Sequence, residues 1–193
     1  MSEVYQTQIK VSQSRIAVVI GKGGETKSKI EEATGAKIRI NTLDNQVTIF
    51  GDDPLKLYNV QQIVKAIARG FSPQRALILL KGDYVLELIE LRLFVRKDHF
   101  PRVKGRIIGE EGRSRENIEK LTDTMISVFG KTIGIIGQPE NAAIAKRAVM
   151  NLIQGSPHAN VYKYLEKKRN ELKARDLIAD DFLREEYKDE HID

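Results

Sequence analysis

The chain has 193 residues, 41% hydrophobic and 31% charged, enough for one medium domain or two small ones. It has no cysteine and only three scattered histidines (His99, His158, His191), which excludes disulfides and thiolate metal sites and leaves no cofactor or metal to expect. No apolar run approaches the roughly 20 residues of a membrane span, and the opening MSEVYQTQIK lacks the apolar core of a secretory signal, so a cytoplasmic location is expected. The net charge of +5 is uneven: residues 163–193 hold eight basic and ten acidic groups, and the remaining 162 residues hold 24 basic and 17 acidic. A basic body favours a polyanionic partner through counterion release.

In chain order, Tyr5 to Val11 alternates polar and apolar and reads as a half-buried strand. Ser12 or Ser14 can cap a short helix carrying Ile16, Val19 and Ile20, which Gly21 to Gly24 break. A second helix from about Glu25 to Ala33 puts Ile30 and Ala33 inward, leaves Lys27 and Lys29 outward, and stops at Gly35. AKIRI and QVTIF are short strands joined through the Asp44-Asn45 turn. Asp52 or Asp53 then caps a helix with Pro54 at its first position.

This unit occurs twice. Val18 to Ile40 aligns with Arg106 to Val128 without a gap, with identities at Ile20/Ile108, Gly21/Gly109, Gly24/Gly112, Ile30/Ile118, Glu31/Glu119, Thr34/Thr122 and Ile38/Ile126. The match continues from Val47–Gly51 to Gly134–Gly137 after a two-residue deletion, then through a helical pattern in each copy. Both helices end on a glycine (Gly70, Gly155) followed by a proline (Pro73, Pro157), a helix stop. A repeat this long implies two homologous domains rather than a solenoid.

Between the units, Ser72-Pro73 starts a short helix through about Leu80, and Gly82-Asp83 is a turn. VLELIEL fits strand or helix by periodicity, and the repeat favours strand. Arg96 to Lys104 reads as a charged insertion. No Gly/Ser linker separates the units, so rigid packing is expected. A long helix follows, with a basic half, Lys163 to Arg175, that could extend a nucleic-acid surface, and an acidic half, Asp176 to Asp193, expected to fray or meet a protein. The expected divisions are 1–72 and 84–160 for the two units, 73–83 for the linker and 161–193 for the extension.

The order β-α-GxxG-α-β-β-α, with Gly21-Lys22-Gly23-Gly24 and Gly109-Glu110-Glu111-Gly112 between the short helices, resembles the type I KH domain, an α+β fold. The resemblance implies that each glycine loop clamps the backbone of single-stranded RNA. Backbone can approach closely at glycine, and the following helix presents free N–H groups to a phosphate. Candidate contacts are Gly21, Lys22, Gly23, Gly24, Lys27, Lys29 and Arg39 in the first unit. In the second they are Lys104, Arg106, Gly109, Gly112, Arg113 and Arg115, the arginines standing around the carboxylates of Glu110 and Glu111. Ile38, Ile40, Ile126 and Val128 could flank the grooves.

The run KGRIIGEEGRSRENIEKLTDTMISVFGKTIGIIG and the linker GFSPQRALILLKGDYVLELIEL are similar to the archaeal branch of the partner-of-Nob family, related to the KRR-type processing proteins. That resemblance implies binding near the 3′ end of small-subunit ribosomal RNA during maturation. It also implies contact with the Nob-type endonuclease and with the alpha subunit of translation initiation factor two. Glu110-Glu111 departs from the Lys and Gly common in that loop, which leaves contact with phosphate there to the backbone amides. A P-loop would need an earlier glycine where Ile16 stands, and no Ser/His/Asp set or carboxylate pair is convincing, so an enzyme is not expected. The competing reading is a KH-fold adaptor for translation or processing factors with little RNA binding of its own.

Overall fold

The computed structural model describes residues 4–189. The first unit comprises β1 (Tyr5–Lys10), α1 (Gln13–Ile20), α2 (Glu25–Thr34), β2 (Lys37–Asn41), β3 (Gln46–Gly51) and α3 (Pro54–Ala68). A linker helix α4 (Pro73–Ala76) runs into a 3-10 turn at Leu77–Leu80. The second unit repeats the order with β4 (Val85–Glu90), α5 (Phe100–Ile108), α6 (Arg113–Thr122), β5 (Met125–Phe129), β6 (Thr132–Gly137) and α7 (Pro139–Ile153), and α8 (His158–Asp189) follows. Each sheet is antiparallel with its last strand central, β1-β3-β2 and β4-β6-β5, so β2 and β5 each keep one free edge. No helix among the described residues is long and apolar enough to cross a membrane.

Local chemistry accounts for the elements. The Asp53 carboxylate accepts the amides of Leu55 and Lys56, and Pro54 sets the first turn of α3, whose inner face buries Val60, Ile63, Val64 and Ile67. Ser72 caps α4 by accepting the Arg75 amide. The identities shared by the two units are structural ties. Glu31 accepts the Ile38 amide at 2.7 Å and Glu119 accepts that of Ile126 at 2.6 Å, each fastening the second helix to the edge strand. Thr34 and Thr122 donate to the carbonyls of Ile30 and Ile118 one turn back, both at 2.7 Å.

The insertion lies elsewhere than the charge pattern suggests. Pro101–Lys104 is already the first turn of α5, in register with Gln13–Ile16 of α1, and the added residues are those between Glu90 and Phe100, which coil into two 3-10 turns. Strong charge masked a helix whose inward positions, Val103 and Ile107, are fully buried.

The two units share a packed seam. Strand β6 buries all six of its residues, whereas β3 buries only Val47 and Ile49. Alternation explains the difference: Ile133 and Ile135 face the core of their own unit, while Ile136 joins the core of the first unit. Phe71, just beyond α3 in the first unit and 1% exposed, lies against Gly134, where an added Cβ would fall 2.6 Å from the ring. The Ser127 hydroxyl donates to Arg69 O at 3.0 Å, and Arg15 of α1 lies over the Phe129 ring at 5.6 Å. At the far side α8 packs on α6 and α7, burying Val161 and Leu165 and pairing Arg175 with both Glu140 oxygens.

Candidate nucleic-acid interface

The two glycine loops share one backbone conformation. Gly21 and Gly109 have φ, ψ of 77°, 174° and 75°, 176°, a region open only to glycine. A Cβ on either would fall within 2.6 Å of the Thr26 amide nitrogen or 2.7 Å of that of Ser114. Gly24 and Gly112 are left-handed at φ 86° and 84° and offer no capping side chain to α2 and α6. The first-turn amides of both helices therefore lack a side-chain acceptor, a ready anion site. Glu111, at 52°, 22°, takes the conformation that Gly23 has at 60°, 19°. The substitution preserved the loop and changed its charge.

Each loop leads into the helix that is fastened to the edge strand of its unit. Because the Ile38 and Ile126 amides turn outward to Glu31 and Glu119, alternation turns the amide and carbonyl of Ile40 and Val128 outward too. Ile38 and Ile126 themselves are core residues, 1% exposed, whereas Ile40 and Val128 are half-buried and flank the groove. The groove thus has an amide-rich end for phosphate and a strand edge able to hydrogen-bond bases.

The cations divide into two groups. Lys22 is exposed in the first loop, and Lys27 follows half-buried on α2. Lys29 is bound to Glu25; that hydrogen bond, then the charge of Lys29, holds the Glu25 carboxyl below its usual range. Arg39 lies on the outer face of the sheet, 5.0 Å over the Phe50 ring, away from the groove. Lys104 donates to Gly130 O at 2.9 Å, tying α5 to the β5–β6 turn.

Of the arginines expected around Glu110 and Glu111, two lie against the loop and the third is engaged elsewhere. Arg113 pairs with Glu111 at 2.6 Å, and a guanidinium nitrogen of Arg115 comes near Gly112, 3.7 Å from where a Cβ would lie. The Arg106 guanidinium forms a clasp, donating to Leu152 O (3.3 Å) and Ser156 O (2.6 Å) and closing the C-terminus of α7. Arg15 does the same for α3 through Ile67 O and Phe71 O, and burial lowers its pKa. The repeat hides this equivalence, because Arg15 aligns with Val103, one helical turn before Arg106. Arg115 turns along α6 toward Glu119, 3.8 Å away, where Arg75 of the linker also arrives at 3.4 Å. Sequence reasoning missed Arg75, which stands outside both repeats and carries no motif.

The family models for KH domain and for Eukaryotic type KH-domain (KH-domain type I) match residues 6–66 and 85–170. A KH domain-containing protein of Methanocaldococcus jannaschii is 44% identical over 86% of this chain and 74% of its own length. A pre-rRNA-processing protein pno1 of Aspergillus oryzae is 31% identical over 72% of this chain, which spans only 55% of that relative. Among solved structures, the complex of a/eIF2alpha, aDim2p and rRNA from Pyrococcus horikoshii matches at 44% identity with a TM-score of 0.83, covering 87% of this chain and 96% of the other. The shared fold, the paired glycine loops and these likenesses together place the chain in the tandem-KH family to which the pno1 pre-rRNA-processing proteins and archaeal Dim2p belong.

Proposed function

We propose that this chain binds single-stranded RNA in the 3′ region of small-subunit ribosomal RNA and acts without catalysis in maturation of that RNA and assembly of the subunit. The observation that carries the reading is the retained loop geometry. Both units keep a glycine-only backbone, helix N-termini without side-chain caps and an outward-facing strand edge, although the loop sequences differ. A fold needed only for protein contacts has no reason to keep Glu111 left-handed, a conformation that costs about 1 kcal/mol. The relatives named for pre-rRNA processing and for an rRNA complex support the same reading.

The first loop, with exposed Lys22, suits phosphate by side chain and backbone. The second works through backbone amides, its Glu111 charge offset by Arg113. The Nob-type endonuclease and the alpha subunit of translation initiation factor two are the protein partners the reading implies, and the site of action is the cytoplasm. The alternative of an adaptor with little RNA affinity rests on Glu110, which pairs with no cation among the described residues.

The test is salt-dependent binding of a short fluorescein-labelled RNA from the 3′ end of small-subunit ribosomal RNA. The combined variant Lys22→Asp, Gly23→Asp, Arg113→Glu, Arg115→Glu should lose at least about tenfold in affinity, with a shallower salt slope. Unchanged affinity in a folded variant would establish the adaptor instead. Nuclease and ATPase assays should be blank, and metal-dependent turnover would overturn the non-catalytic assignment.

A further inference from the structure

The seam between the units forms an open cleft of ≈ 360 Å³ beside the groove of the second unit. Its floor is the free edge of β5 at Ile126 to Phe129. It is lined besides by Phe71 at the end of the first unit, by Arg75 of the linker and by Arg115 of α6. The volume stands at the small end of the range of ligand sites, about 300–1,000 Å³, and suits a single planar group rather than a folded partner.

Its chemistry selects among ligands. Arg75 is fixed at its backbone by Ser72 and reaches Glu119 at 3.4 Å, with its side chain still half exposed. Arg115 carries a buried Nε–H that meets no acceptor within hydrogen-bond distance, Glu119 being 3.8 Å away. Two planar guanidinium groups thus flank the cleft around one carboxylate. A phosphate entering here would meet Glu119. A nucleobase would instead find guanidinium faces to stack on and the outward amide and carbonyl of Val128 for its edge. The first unit lacks this arrangement: Glu31 takes the Ile38 amide, but among the described residues no arginine pairs with it.

We infer that the domain seam is a base slot, in which Arg75, contributed by the linker, stacks on one base of an RNA strand held by the second glycine loop. The slot rests on the RNA-binding reading and adds to it a specificity residue outside both KH repeats. It makes the second groove more selective than the first despite its acidic loop.

The test is a set of labelled single-stranded RNAs, each with one base removed in turn, titrated against the full chain and against Arg75→Ala and Arg75→Lys. With the unsubstituted protein, loss of the slotted base should weaken binding about tenfold. Arg75→Ala should weaken binding of intact RNA by a similar factor and become indifferent to loss of that base. Arg75→Lys should behave as the alanine variant, because the charge remains but the plane is gone. Arg75 is half exposed, and Glu119 keeps the Ile126 amide and Arg115 when Arg75 is removed, so both variants should melt within a few degrees of the parent. Full affinity in Arg75→Ala would overturn the slot. So would a uniform loss across all the RNAs with a reduced salt slope, which would make Arg75 a phosphate contact. If the loop variants above also bind normally, the RNA reading itself fails; if they lose binding while Arg75→Ala does not, only the slot does.

Discussion

Two glycines two positions apart in the first loop do different jobs. Gly21 sits at φ 77°, ψ 174° with the Thr26 amide nitrogen 2.6 Å from where a Cβ would lie. Gly21→Ala therefore combines a forbidden backbone with a backbone clash, and should cost on the order of 2–4 kcal/mol in urea denaturation. Gly23 has open space around it and a left-handed conformation that Glu111 already adopts in the second unit. Gly23→Asp should cost only about 1 kcal/mol while lowering RNA affinity, since it adds a carboxylate where phosphate approaches. Equal destabilisation by the two changes would show that the loops do not share the geometry described. The pattern Gly-x-x-Gly was plain in the sequence. Which glycine is fixed by sterics was not, because that depends on where the next helix places Thr26 and Ser114.

At the scale of elements, the strands and helices of the first unit were legible because each carries its own signals: alternation in β1, Asp53-Pro54 before α3, Gly35 after α2. The second unit was less so. Charged residues and Pro101 made the start of α5 look like an insertion, and only the buried positions Val103 and Ile107 reveal the helix. Helix α8 shows the same competition between charge and packing. Its sequence is mostly polar, yet Val161 and Leu165 are buried on α6 and α7, whereas Leu177 is 68% exposed. Leu165→Ala should thus cost about 2–4 kcal/mol and Leu177→Ala no more than about 0.5 kcal/mol, measured by chemical denaturation of the full chain. A small effect at Leu165 would mean that α8 is not part of the second core.

At the scale of the molecule, the seam was the least legible feature, since no local pattern announces that a sheet will be covered on both faces. The one trace is in β6, where TIGIIG fails to alternate and places a glycine where a side chain is expected. Gly134 is there because Phe71 occupies the volume of its missing Cβ, 2.6 Å from the ring edge. Gly134→Ala should therefore destabilise by overpacking, about 1–3 kcal/mol, although the site is in a strand where alanine would otherwise be preferred to glycine. Phe71→Leu alone should also destabilise, by leaving part of the ring's volume empty. Combined, the smaller side chain makes room for the added methyl, so the double variant should be more stable than the sum of the single effects by at least about 1 kcal/mol. Residue 71 follows α3 in the core of the first unit and residue 134 belongs to the second, so this coupling measures the seam itself. Additive effects would mean that the two units do not interlock, and a slot between them would then lack a fixed wall.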